Sequence, residues 1–103
     1  MRATLLDAKH VREVVLLRFP FASEMPAGAS LASVQAVISL KGGTDASPAA
    51  VLLGLPQIVS ASHEVLQRVQ GGLGGAKYGI LMAATLSDGQ VLVRAVELPV
   101  VDF

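Results

Sequence analysis

The strongest constraint on this chain lies between residues 71 and 100, where GGLGGAKYGILMAATLSDGQVLVRAVELPV reads as one β-hairpin behind a glycine-rich approach. Two alternating apolar runs flank Ser87, Asp88, Gly89 and Gln90, and Asp-Gly is a pair favoured by tight hairpin turns with positive φ. In the outgoing strand Tyr78, Ile80, Met82, Ala84 and Leu86 share one face, and in the return strand Leu92, Val96 and Leu98 do. Val91, Val93 and Ala95 make the other face of the return strand apolar as well. A strand apolar on both faces belongs in the middle of an assembly or at an interface.

Upstream, the alternation of Val11, Val15, Leu17 and Phe19 with Arg12, Val14, Leu16 and Arg18 predicts a strand over residues 11–19, ended by Pro20. A loop marked by Ser23, Pro26, Gly28 and Ser30 leads to a second strand over residues 31–40. There Val34, Ala36, Ile38 and Leu40 oppose Ser33, Gln35, Val37 and Ser39, and the outward face is polar but uncharged. Lys41, Gly42, Gly43, Thr44, Asp45 and Pro48 read as an extended loop with glycines for left-handed backbone. Residues 49–60 form either two short strands or one bent strand, placed at a sheet edge by Gly54 and Pro56. Residues 64–70 alternate once more. Residues 1–10, with Leu5 and Leu6, are an arm that either begins a helix or lies along a neighbour.

Several short strands punctuated by turns, with no helical period, predict an antiparallel β-sandwich; a small β-barrel is the alternative. At 103 residues the chain is one domain, residues 11–103, behind the arm. Eight basic and eight acidic residues are scattered singly, which argues against nucleic acid or an anionic membrane as partner. Zero net charge with 52% apolar residues favours self-association or a permanent partner. Without cysteine there is no disulfide, zinc knuckle or thiol nucleophile. Asp7, Lys9, Arg12 and Glu13 interrupt the start where a signal peptide needs an apolar run, so synthesis in a cytoplasm is expected, and no uncharged run is long enough to span a bilayer.

No motif for catalysis competes with the hairpin. Gly71, Gly72, Gly74 and Gly75 invite a phosphate-cradling reading, yet Ala76-Lys77-Tyr78 lacks the Gly-Lys-Ser/Thr of a P-loop and leads into a strand. The glycines are better read as a turn that lets the chain cross between sheets. His10 and His63, even with Asp7 or Glu64, do not assemble three convergent metal ligands. Asp45 and Asp88 read as loop-formers, and Arg94 as a partner for Asp88 or Glu97 across the hairpin. Tyr78 reads as a core ring near the sheet crossing, its hydroxyl bonded to a backbone carbonyl. No enzymatic activity, cofactor or metal is expected.

Gly71-Gly72, Gly75 and Tyr78, followed by Thr85, Ser87-Asp88-Gly89, Arg94 and Leu98-Pro99-Val100, resemble the C-terminal signature of small tailed-bacteriophage structural proteins of the fibre-tail adaptor type. Phe19-Pro20-Phe21, Pro26-Ala27-Gly28 and Leu31-Ala32-Ser33-Val34 resemble the first half of the same family. The resemblance implies a non-enzymatic, immunoglobulin-like sandwich, resident in the virion and made in the host cytoplasm. It implies multiple copies, in a ring, that join tail or neck proteins to fibres. Leu5, Leu6, Lys41, Gly42, Gly43, Thr44, Asp45 and Pro48 are the expected assembly contacts, while Gly71, Gly72, Gly75, Tyr78, Asp88 and Gly89 are the structural turn and core positions. Two other functions stay open: a capsid decoration or cement protein, and a module binding host-surface glycan, the latter short of aromatic surface.

Overall fold

The computed structural model describes residues 4–103 and shows an all-β chain with eight strands and no α-helix among them. The strands are β1 (Thr4–Leu5), β2 (Lys9–His10), β3 (Val15–Pro20), β4 (Leu31–Gly42), β5 (Leu52–Val59), β6 (Glu64–Val69), β7 (Lys77–Leu86) and β8 (Val91–Val101). Single 3-10 turns at Ala22–Glu24 and Pro48–Val51 precede β4 and β5. A five-stranded sheet runs β1-β8-β7-β4 with β2 also on β8, and a three-stranded sheet runs β3-β6-β5. The chain changes sheet four times, between β2 and β3, β3 and β4, β4 and β5, and β6 and β7.

One buried cluster draws on both sheets. Phe19, Val65 and Val69 come from the smaller sheet, while Tyr78, Ile80, Met82, Ala84, Leu86, Leu98 and Val100 come from β7 and β8. The inward residues expected of β7 are all buried, because strand alternation sends every second side chain to the shared core. Ile80, Met82 and Leu86, fully buried, each contribute about 1.5–3 kcal/mol before the cost of ordering them.

The β7–β8 turn falls where Asp88 and Gly89 place it. Gly89 N donates to Leu86 O at 3.0 Å and Leu86 N to Gln90 O at 2.8 Å, with Gly89 at φ +90°. Asp88 is not left-handed; its carboxylate accepts instead from Gln90 N at 3.1 Å. This is a three-residue loop closed by a left-handed glycine. β5 is one bent strand at a sheet edge, with its pairing to β6 shifted between Leu53 and Gln57. Across that gap the buried Gln67 amide donates to Gly54 O at 3.1 Å, standing in for part of the lost ladder, and it also donates to Arg68 O of its own strand at 2.9 Å.

Three boundaries differ from the sequence expectation. The first long strand starts at Val15, because residues 11–14 form a turn: His10 N donates to Glu13 Oε1 at 2.7 Å and Glu13 N to His10 O at 2.9 Å. Lys41 and Gly42 end β4 and do not open a loop, and Pro48 starts a 3-10 turn. The arm neither forms a helix nor reaches away: β1 and β2 pair in parallel with β8, Thr4 against Val96 and Lys9 against Val100. The first three residues of that arm lie outside the described residues.

Candidate functional site

The glycine-rich segment joins β6 of one sheet to β7 of the other, and its backbone is built around Tyr78. Gly71, Gly72 and Gly75 take φ of +57°, +87° and +85°. A Cβ at Gly72 would lie 3.1 Å from Val100 and 3.2 Å from the Tyr78 ring, so this position needs both the left-handed backbone and the missing side chain. Gly75 N donates to Val100 O and Val100 N to Ala76 O, each at 2.9 Å, which fastens the crossing to β8.

Tyr78 is fully buried, and its hydroxyl ties three segments together. It accepts from Leu73 N at 2.9 Å and donates to Asp45 Oδ2 at 2.6 Å. Its partners are thus a backbone amide and a carboxylate, where a backbone carbonyl was expected. The other carboxylate oxygen of Asp45 accepts from Ser47 N at 2.8 Å. The Tyr78 hydroxyl and then the Ser47 amide hold the Asp45 carboxyl below its ordinary value. Burial, then the bond to Asp45, raises the Tyr78 phenol above its own. Gly43 approaches the crossing directly: at φ +79°, a Cβ there would lie 2.8 Å from Ala76 Cα. Gly43 and Asp45 therefore serve contacts within the chain. Thr44 makes no side-chain hydrogen bond among the described residues, and Leu5 is 66% exposed while Leu6 packs against the core.

Lys9 carries no signal in the sequence, yet it is buried. Its Nζ donates to His10 O at 2.8 Å and Gly71 O at 2.7 Å, locking the arm to the crossing. Burial lowers its pKa, and the Glu13 carboxylate opposes that in part. Arg94 pairs with neither Asp88 nor Glu97. Its guanidinium sits 5.1 Å from the Phe21 ring centroid and 3.1 Å from Glu24, while Glu97 pairs with Lys77 at 3.4 Å. The reason is parity: Arg94 stands opposite Met82 on the core-facing side of the sheet.

The side chains left over lie on the outer face of the five-stranded sheet. Register places Ser33, Thr85 and Val91 in one row, Gln35, Ala83 and Val93 in the next, and Val37, Leu81 and Ala95 in a third. None of these is charged. Val37, Leu81 and Val91 are 50%, 39% and 58% exposed, and the rows lead into an open groove that Lys41 and Glu97 also line. The face of β8 that the sequence marks as apolar is thus uncovered in the single chain. Beside it runs the free edge of β4, 12 residues long.

This arrangement offers contact area and backbone hydrogen-bonding groups rather than reactive groups. Among the described residues no cluster of three or more His, Asp or Glu side chains could hold a metal ion, and no helix is long and apolar enough to cross a membrane. His10 Nε2 lies 2.9 Å from Phe103 O with its ring edge-on to Phe103, and His63 is far from it in sequence at a turn with φ +52°. Comparison with protein-family models, with curated proteins and with solved structures returns no match.

Proposed function

We propose that the chain is a non-enzymatic structural subunit of a tailed-bacteriophage particle, an immunoglobulin-like adaptor held in several copies between tail or neck proteins and fibres. The observation that carries the structural role is the uncharged outer face of β4, β7 and β8, joined to an open strand edge. Within that face Val37, Leu81, Val93 and Ala95 adjoin one another with no charge among them, and an exposed apolar patch of this kind marks a site of protein contact. The virion assignment rests on the resemblance of the glycine-rich hairpin and the Phe19-Pro20-Phe21 segment.

The immunoglobulin-like reading is supported by which strands pair. β3-β6-β5 and β8-β7-β4 follow the B-E-D and G-F-C pairing of such domains, joined by the same order of crossings. A tyrosine near the start of β7, bonded to backbone a few residues upstream at Leu73, has the placing of a tyrosine corner. The glycan-binding alternative has less support, because Tyr78 is sealed in the core with its hydroxyl engaged.

Quantitative mass spectrometry of purified virions tests the proposal. A copy number matching a tail or neck ring is expected. A copy number matching capsid subunits would make the chain a decoration protein, and its absence from virions would overturn the assignment.

A further inference from the structure

Three of the four sheet edges among the described residues are blocked, and one is not. The far edge of β8 is covered by β1 and β2. β5 is broken by its register shift around Gly54 and Pro56, and β3 is six residues long, carries Arg18 and ends at Pro20. These are the usual devices that keep a strand edge from pairing with another chain. β4 carries them only at its ends, where its register against β7 shifts between Leu31 and Ser33 and between Leu40 and Gly42 and where Lys41 lies; from Ser33 to Leu40 it is regular and contains no charge, no proline and no glycine. Among the described residues no strand is hydrogen-bonded to its outer edge, so a row of amides and carbonyls stands ready for a partner.

We propose that this edge pairs antiparallel with β4 of a second copy about a two-fold axis at Val37, so that one continuous sheet crosses both copies. The inference rests on the structural reading above and names the partner of that surface. A second copy fits because β4 is self-complementary in this register. Antiparallel pairing keeps outward side chains on one side, so the axis must fall on a residue and not between two. At Val37 the exposed apolar residue of the strand meets its own copy. Ser39 then faces Gln35, and along the regular stretch from Ser33 to Leu40 no like charges oppose one another. The uncharged rows of both copies merge into one surface, and zero net charge leaves no long-range repulsion to overcome.

The test uses the whole chain, which has no cysteine. Residues directly opposite in an antiparallel pair have Cα atoms about 4.5–5.5 Å apart, within the range of about 4.4–6.8 Å that a disulfide spans. The Val37→Cys chain is therefore expected to form a disulfide-linked dimer under mild oxidation, much faster than a Leu55→Cys chain, whose position is 88% exposed on the broken edge strand. Val37→Lys and Val37→Glu should each weaken self-association about tenfold in sedimentation equilibrium, and an equimolar mixture of the two should restore it. Equal cross-linking at both positions, or a wild-type chain that stays monomeric at about 1 mM, on the order of the weakest specific complexes, would overturn the pairing. A monomeric chain that is nonetheless found in virions refutes the pairing and leaves the structural role standing. A dimer absent from virions does the reverse.

Discussion

Gly43→Ala should be far more damaging than Gly28→Ala, although the two glycines share nearly the same backbone, φ +79° and +85°. At Gly28 a Cβ meets nothing within 4 Å, so the cost is that of left-handed backbone alone. That cost is about 1–2 kcal/mol, offset by about 0.4–1 kcal/mol from the stiffer unfolded chain, leaving a net loss of about 1 kcal/mol. At Gly43 the same Cβ lies 2.8 Å from Ala76 Cα and 3.0 Å from Gly75 O, both of them backbone atoms that cannot rotate aside. Forcing the end of β4 away from the crossing adds about 1–3 kcal/mol. The difference between the variants is thus about 2 kcal/mol, or about 8–16 °C in Tm for a domain of this size. Urea and thermal unfolding followed by circular dichroism measure it, since the chain has no tryptophan to report. If the two variants lose the same stability within about 0.5 kcal/mol, the additivity error expected of independent sites, the close approach between β4 and the crossing is not there and the argument fails.

Other consequences are as specific. Tyr78→Phe removes the donor that lowers the Asp45 pKa, so the Asp45 carboxyl should titrate closer to its ordinary value in carbon-detected NMR, and the Leu73 amide should exchange faster. Because the folded pKa of Asp45 is depressed, its contribution to stability is present above the unfolded value of 3.8 and is lost as pH falls through the folded one; Tyr78→Phe should flatten that acid limb. Lys9 has the opposite balance: with a folded pKa below 10.5, its ammonium burdens the fold at neutral pH, and the burden eases as pH rises toward 10.5. Lys9→Met should remove that pH dependence while freeing the arm, seen as faster exchange at Leu6 and Val11, whose amides bond Glu97 O and Val101 O. Arg94→Ala should cost no more than about 1 kcal/mol in unfolding experiments, because the Glu24 partner is largely exposed and the contact with Phe21 adds little more.

Much of the fold was legible where side-chain period and turn chemistry agree. Tyr78, Ile80, Met82, Ala84 and Leu86 announce an inward face, Asp88-Gly89 a turn, and Gly54 with Pro56 a broken edge; each depends on a few neighbouring residues. The first strand was misjudged because Val11 continues the alternation of Val15, Leu17 and Phe19, while a hydrogen bond from His10 N to Glu13, invisible to period, turns the chain. Arg94 was misassigned by reading its neighbours along the chain; its even position, shared with Leu92 and Val96, already directed it to the core side. The burial of Lys9 and the bond between Tyr78 and Asp45 join residues far apart in sequence, 62 and 33 positions for their longest contacts, and no local pattern carries them. The apolar face of Val91, Val93 and Ala95 was evident, but its merging with Val37 and Leu81 depends on register across three strands.

Amide hydrogen exchange across Leu31–Gly42, compared between the dilute chain and its assembled form, bears most directly on the claim that this sheet is built to be covered. The account predicts that alternate β4 amides, those directed away from β7, exchange rapidly in the dilute chain and become protected on assembly, while the edge amides of β5 do not change. Unchanged exchange along β4 in the assembled form would contradict it.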